Sequence, residues 1–314
     1  MKRSRLARAA CIAASLLVLL LLPWPLDSYQ LGLATKILIF ALFAMSLDVV
    51  VGYAGLPSLG HAAYFGIGGY AVGLLAVKAI DNFWLDFGAG ILAATVAAAL
   101  FGLLALRTRG SYFLMITLAL SQVAWGLAVG WRELTGGDDG LTNVPRPGAG
   151  LAFSFADGIS FYYFTLAITL AGALLLWLVI RSPFGAVLVG IRENERRMQV
   201  LGYGTWRYKY LAFVISGMLA GVSGGLFAYY NGFVSPSYLS VVLSASALIM
   251  VILGGTGTLF GPALGAALIV ILENVISAQT QRWLTVLGLI YIGVTLFAPA
   301  GLLGLLRARA RRTP

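Results

Sequence analysis

Charge is what this chain has least of. Only 10% of its 314 residues are Asp, Glu, Lys or Arg, against about 25% in a typical soluble domain. It has one cysteine, Cys11, which excludes an internal disulfide and any multi-thiolate metal site. It has one histidine, His61, which excludes a histidine-cluster metal centre. H-E-x-x-H does not occur, the G-x-S-x-G pattern at Gly221–Gly225 lies inside an apolar run, and no carboxylate pair falls on a soluble stretch, so an enzyme has little to build on. No catalytic residue and no metal ligand is assigned, and the chain is expected to carry no cofactor. Acidic residues number 11 against 21 Lys and Arg, giving a formal net charge of +10. That excess does not point to nucleic acid, because the basic residues sit at the ends of apolar runs.

What is abundant is hydrophobic side chain, 60% of the residues. The composition fits a polytopic, all-α membrane protein, since a backbone in lipid must satisfy its own hydrogen bonds and a helix does so. Each crossing needs about 20 apolar residues. The N-terminal run CIAASLLVLLLLP is followed by WPLDSY without a small-x-small cleavage site, so an uncleaved span fits better than a signal peptide. Further runs follow at Leu31–Val51, Leu59–Val77, Phe83–Leu106, Tyr112–Trp131, Phe161–Ile180, Tyr210–Tyr230, Val241–Leu253, Leu259–Ile276 and Trp283–Leu303. The expectation is one transmembrane domain over residues 1–314, with about ten transmembrane or re-entrant helices. Val241–Leu253 is short for a full crossing and is expected to be re-entrant or broken.

Alternation across these runs places Lys2–Arg8, Arg107–Arg109, residues 181–209 and Arg307–Arg312 on one side. An excess of Lys and Arg marks the cytoplasmic side, so both termini are expected there. The external loop 132–160, with TGGDDGLTNVPRPG at its heart, then faces outward as a lid, a docking surface or a plain connector. Residues 181–209, RSPFGAVLVGIRENERRMQVLGYGTWRYK, form the one long charged segment between two spans, and their form suggests a docking site for a cytoplasmic partner.

Four features remain as candidates. The stretch Val51–Tyr70 enters a span through Gly52, Gly55, Pro57 and Gly60 beside Ser58 and His61. Interrupted helices at membrane depth free backbone groups to line a pathway, although a tight turn leading into a packing helix explains the same residues. The run GGTGTLFGP at Gly254–Pro262 has the glycines of a phosphate loop but Phe260, Gly261 and Pro262 where Gly-Lys-Ser/Thr is required, so it binds no nucleotide. Gly217, Gly221 and Gly225, and likewise Gly257, Gly261 and Gly265, recur at the four-residue spacing that lets helices approach closely. Asp48, Gln122, Glu273 and Asn274 are polar positions within spans. Both acids are placed near an expected interface, where water reaches them.

The motifs GYAGLPSLGHAAYFGIGGY, GGDDGLTNVPRP, RSPFGAVLVGIRENERRMQVLGYGTWRYKYLAFVISGMLAGVSGGL, GGTGTLFGPALGA and LFAPAGLLGLL, spread from about Leu31 to Leu305, resemble the permease subunits of branched-chain amino acid ABC importers. The likeness is greatest to the LivM type, and urea and amide permeases share the motifs. It implies an inner-membrane pore subunit that pairs with a second permease. Two cytoplasmic ATPase subunits would use the ATP, and an extracytoplasmic binding protein would deliver the solute. It implies that residues 181–209 contain the ATPase-coupling segment, with Arg192, Glu193, Asn194 and Glu195 matching the family's R-E-N-E and Leu201 and Gly202 its Leu-Gly. Arg196, Arg197 and Met198 stand where many importers have Glu-Ala-Ala, and no partner contact is assigned to them. Leu56 and Pro57 replace a more polar pair. The helix around Ile191–Leu201 is expected to move as a rigid lever, with solute passing Ser58, His61, Gln122, Gly254, Gly255 and Gly257. A urea or short-amide importer of the same family is the alternative, and an ion-coupled secondary transporter a more distant one.

Overall fold

Helices carry nearly the whole chain, because few of its side chains gain by facing water and lipid offers the backbone no partners. The computed structural model describes residues 17–78, 82–146 and 157–279, with single residues at 282, 285, 286, 288, 289, 292 and 293. The helices are α1 (Ser28–Asp48), α2 (His61–Lys78), α3 (Phe83–Ala105), α4 (Ser111–Gly130), α5 (Gly158–Arg181), α6 (Pro183–Val200), α7 (Thr205–Asn231), α8 (Val241–Gly254) and α9 (Gly261–Gln279). A π-helical turn, Val49–Tyr53, extends α1. Among the described residues the sole β-type pairing is one antiparallel bridge between Leu141 and Val234.

Among the described residues six helices are long and apolar enough to cross a membrane, and two shorter apolar ones, His61–Val77 and Val241–Gly254, join them. The start of the first expected span up to residue 16, most of Trp283–Leu303, the LFAPAGLLGLL motif and the Arg-rich tail lie outside the described residues. The count therefore agrees with about ten. What is described of the first span, near Leu19 and Leu20, is held to α5 by the hydroxyls of Tyr162 and Tyr163, which donate to those two carbonyls.

Two helices form the interior. Helix α7 packs on α2 and α3, and α1 packs on α5, α7 and α9. Ile39 to Asp48 of α1 is buried without interruption. Helices α3, α4 and α5 turn side chains such as Leu92, Leu127 and Leu178 outward, as spans facing lipid do. The spaced glycines of α7 act as expected. Gly217 and Gly221 lie against Ala98 and Ala94 of α3, and Gly221 also against Gly68 of α2. Even a Cβ added at Gly217 or Gly221 would come within 2.3 Å of those alanine methyls, so the close approach requires glycine. The second series is not a single helical stripe. Gly257 has a φ of +71° in the turn before α9, and Gly261 and Gly265 alone pack helix on helix, against Gly254 and Met250. A glycine followed by the α-incompatible pattern Thr-Leu-Phe-Gly-Pro ends up in the connection, where spacing has no helical meaning.

The short run at 241–253 resolves into a composite crossing. Helix α8 has 14 residues, about 21 Å at 1.5 Å each. The chain reaches its start through the irregular segment 233–240, which contains the 3-10 turn Pro236–Leu239. Tyr238 and Leu239 are buried, and the Leu239 carbonyl accepts from Ser121 Oγ of α4 at 3.3 Å. Irregular backbone is tolerated at membrane depth where protein covers it in this way. Ser240 Oγ caps α8 by accepting from the Leu243 amide at 3.2 Å. Ser244 Oγ accepts from the Ala62 amide at 3.0 Å, so the two shorter helices, α2 and α8, begin side by side.

Candidate functional site

The segment with the most distinct local chemistry is α6, which is two helices in one. Pro183 occupies its first turn, where a missing N–H costs nothing, and Gly185, Val187, Leu188 and Ile191 form its buried face. At Asn194 the backbone leaves helical geometry, with φ −159° and ψ 97°. The Asn194 carboxamide oxygen then accepts from the Arg197 amide at 2.9 Å, the bond of a helix N-cap. The helix after it closes at Gly202, φ +86°. Gly202 N donates to Gln199 O at 3.0 Å and Tyr203 N to Met198 O at 3.1 Å, the paired bonds of a Schellman motif. Residues 191–201 are therefore not one continuous helix. They are an arm with one buried face, ending at Glu193, and a short capped helix that meets it at a bend at Asn194, because Asn favours a cap over a helix interior.

The short helix is fastened to the start of α7. Glu195 Oε1 accepts from Lys209 Nζ at 2.6 Å and from Thr205 Oγ1 at 3.1 Å. Burial alone would raise the Glu195 carboxyl, but the Lys209 ammonium and the Thr205 hydroxyl outweigh it and hold the group below its ordinary value. Arg109, on the α3–α4 connection, adds to the same effect, which puts two basic clusters at one end of the molecule.

From the buried arm, Arg192 reaches across to α1. Its guanidinium donates to the Gly52 carbonyl, in the π-helical turn where helix-end carbonyls lack partners. Its Cβ and Cγ lie over Gly55, which has a φ of +71°, and its Nη1 lies beside Gly257. One turn back along α1, Asp48 is fully buried. Its carboxylate accepts from the Gly257 amide at 2.8 Å and the Leu259 amide at 3.3 Å. Asp48 was expected at a water-filled helix end. The turn at 255–259 instead folds over it and replaces water with backbone donors. A Cβ on Gly52 would meet the Asp48 carboxylate and the Gly257 amide, so this three-way contact requires glycine. Arg192 thus touches three separate pieces of chain: the end of α1, the break before α2 and the turn before α9.

The sequence matches the family described as "Branched-chain amino acid transport system / permease component" over residues 29–298. The chain belongs to that permease family. It is 30% identical to the high-affinity branched-chain amino acid transport system permease protein LivM of Escherichia coli K12, over 94% of this chain and 75% of that one. It is 26% identical to the LivH permease protein of the same-named system in Salmonella typhimurium, over 84% of this chain and 91% of that one. It is also 31% identical to the autoinducer 2 import system permease protein LsrC of Klebsiella pneumoniae, over 57% of this chain and 52% of that one. No solved structure matches. The permease is a multi-pass membrane protein and a transport component.

The permease brings most of the expected residues together. Arg192 and Gly257 meet at Asp48, Gly254 packs against Gly261, Gly255 opens the turn between them, Glu193 ends the arm, and Asn194, Glu195, Leu201 and Gly202 follow on the capped helix. Ser58 and His61 lie behind that turn in closed packing. Ser58 Oγ accepts from the Gly60 amide at 3.3 Å. His61 Nε2 is 2.8 Å from Ser46 Oγ, and its ring stacks on Phe43 with centroids 5.1 Å apart. Gln122 is separate, exposed on the outer face of α4. The 132–146 part of the external loop is tied down, with Leu141 bridged to Val234 and the Arg146 guanidinium donating to the Tyr229 and Tyr230 carbonyls at 2.7 and 2.8 Å. These last carbonyls of α7 carry the negative end of its dipole, which favours a cation. The sequence reading passed over Lys36, although a lysine within Leu31–Val51 is itself the signal of an intramembrane charge.

Proposed function

We propose that this chain is the membrane-spanning subunit of an ATP-driven importer of branched-chain amino acids, forming the translocation pathway with a second permease subunit. Two cytoplasmic ATPase subunits bind the face made by residues 181–209 and consume the ATP. An extracytoplasmic binding protein delivers solute at the opposite end, and both termini lie in the cytoplasm of a cell whose inner membrane holds the protein. Family membership supports the class, and the shared transport-system title of the LivM and LivH relatives supports two paired permeases.

The observation that carries the mechanism is the Arg192 contact with Gly52, Gly55 and Gly257. The capped helix and the chain leading into α7 expose Val200, Leu201, Tyr203 and Trp206 together with Arg196, Arg197 and Arg207, apolar side chains among basic ones, suited to a protein partner. A push there carries through the bend at Asn194 to the arm and displaces Arg192, which moves the broken segments around Ser58–His61 and Gly254–Gly257 together. The cavity then opens to alternate sides, a shift between two global states.

The test is Arg192→Glu in the reconstituted importer with ATPases and binding protein. Leucine uptake should fall roughly 5- to 150-fold, the span of a typical coupling energy, while insertion and ATP hydrolysis persist. Coupled uptake at the wild-type level overturns the role of Arg192. Uptake by the chain alone, driven by a proton or sodium gradient, overturns the ATP-driven reading, and uptake of urea in place of leucine overturns the cargo.

A further inference from the structure

The half of the membrane away from α6 holds a second ionic site that the coupling contact does not use. Lys36 lies eight residues along α1 from Ser28, roughly 12 Å of helix. Its Nζ is 3.6 Å from Glu273 Oε2 of α9, with side-chain exposures of 26% and 32%. Lys36 also lines a cavity of about 300 Å³ between α1, α7 and α9. Leu33 and Phe227 give it apolar walls, and Tyr230, Asn231 and Asn274 give it polar ones. The Tyr29 hydroxyl donates to Asn274 Oδ1 at 2.5 Å, closing α1 on α9 beside the pair.

The geometry of the pair matters more than its existence. A separation of 3.6 Å is longer than a charge-assisted hydrogen bond, which runs at about 2.7–2.9 Å. Each ion therefore keeps its best bonding capacity, three donors on the ammonium and two oxygens on the carboxylate. A solute carrying both an anion and a cation can give each ion a closer partner than it has now. A solute with one charge, or none, leaves one of the half-buried ions without a replacement, and that mismatch is what discriminates. The cavity is also of the size that small solutes occupy.

Resting on the importer reading, we propose that Lys36 and Glu273 form a solute-binding station for α-amino acid zwitterions within the permease, Lys36 taking the carboxylate, Glu273 the ammonium, and Leu33 with Phe227 the apolar side chain. The pair opens when solute arrives and recloses when it leaves, so the site is never left with an unpaired charge.

The competing role is a plain strut between α1 and α9, and one double variant separates the two. Replacing both ions with methionine, Lys36→Met with Glu273→Met, keeps apolar packing between the helices and is structurally mild, since swapping an ion pair for apolar residues is often neutral. The assembled importer in vesicles, with saturating leucine-loaded binding protein, is expected to transport leucine roughly 10- to 100-fold more slowly in this variant, the loss of hydrogen bonds to charged groups. Assembly and binding-protein-stimulated ATP hydrolysis should hold. Wild-type transport in the double variant overturns the station. A pattern in which either single variant fails and the double recovers also overturns it, in favour of the strut. If the double variant does not assemble, Leu33→Phe decides, because it fills the cavity and keeps both charges: slowed transport supports the station and unchanged transport overturns it. Failure of the wild-type importer to move leucine at all strikes the importer reading itself.

Discussion

The two ends of the membrane body treat charge in opposite ways. At the basic end, Asp48 is sealed from water and satisfied by two backbone amides, and Arg192 is bonded to the backbone carbonyl of Gly52. In the other half, Lys36 and Glu273 stand partly exposed, 3.6 Å apart, beside open space. Charges tied to backbone hold segments in fixed relation and pass on a displacement. Charges tied loosely to one another leave room for a third party. The difference separates a transmitting joint from a receiving one within a single fold.

The largest expected effect breaks the transmitting joint. Asp48→Ala leaves the Gly257 and Leu259 amides buried without acceptors, at about 1–3 kcal/mol for each such group. Thermal unfolding of the purified protein should show a marked drop, whereas the Lys36→Met, Glu273→Met double variant should melt close to wild type. Equal drops for the two would erase the contrast.

A smaller effect concerns the fastening of the capped helix. Glu195 is held below its ordinary carboxyl value in the folded protein. A depressed folded value means the bond to Lys209 contributes fully above the free group's ordinary value of 4.5 and is lost as pH falls through the lower folded one. Amide exchange over residues 195–203 should therefore stay slow at neutral pH and accelerate, relative to intrinsic rates, only in acid below that value. Glu195→Gln should show the faster exchange at every pH, with a loss of about 1.5 kcal/mol for a hydrogen bond to a charged group. Protection that is flat with pH in both proteins would detach Glu195 from this role.

The smallest effect is at Gly202. With φ at +86° and nothing nearby for a Cβ to strike, Gly202→Ala should cost about 1 kcal/mol from backbone strain alone. Exchange of the Gly202 and Tyr203 amides should rise while the melting temperature of the whole protein changes little. A global change would mean the capped helix is part of the rigid body.

Several of these features were legible in the sequence, for local reasons. Gly202 after a polar, helix-forming run reads as a C-terminal cap, and the glycines of α7 at four-residue spacing read as a packing face. Pro183 after Ser182 reads as a helix start. The break at Asn194 left a weaker trace, since Asn followed by Glu and two Arg serves equally as a helix interior on a charged surface. The partnership of Asp48 with Gly257 left none, because 209 residues separate them. Helix α1 is apolar on every side, so no periodicity tells which face turns inward.

The sequence by itself determined that this is a helical membrane protein with its basic residues clustered at the ends of apolar runs, that its glycine-rich run lacks the Gly-Lys-Ser/Thr of a phosphate loop, and that its motifs are those of a permease. These follow from hydropathy, charge placement and short-range backbone preferences, which act within a few residues. Only the tertiary structure decided that α6 bends at Asn194, that Arg192 reaches three pieces of chain, and that Lys36 pairs with Glu273 beside a cavity. A buried polar group must find its partner wherever the packing brings one, and that partner is set by how the helices pack, which no local pattern records.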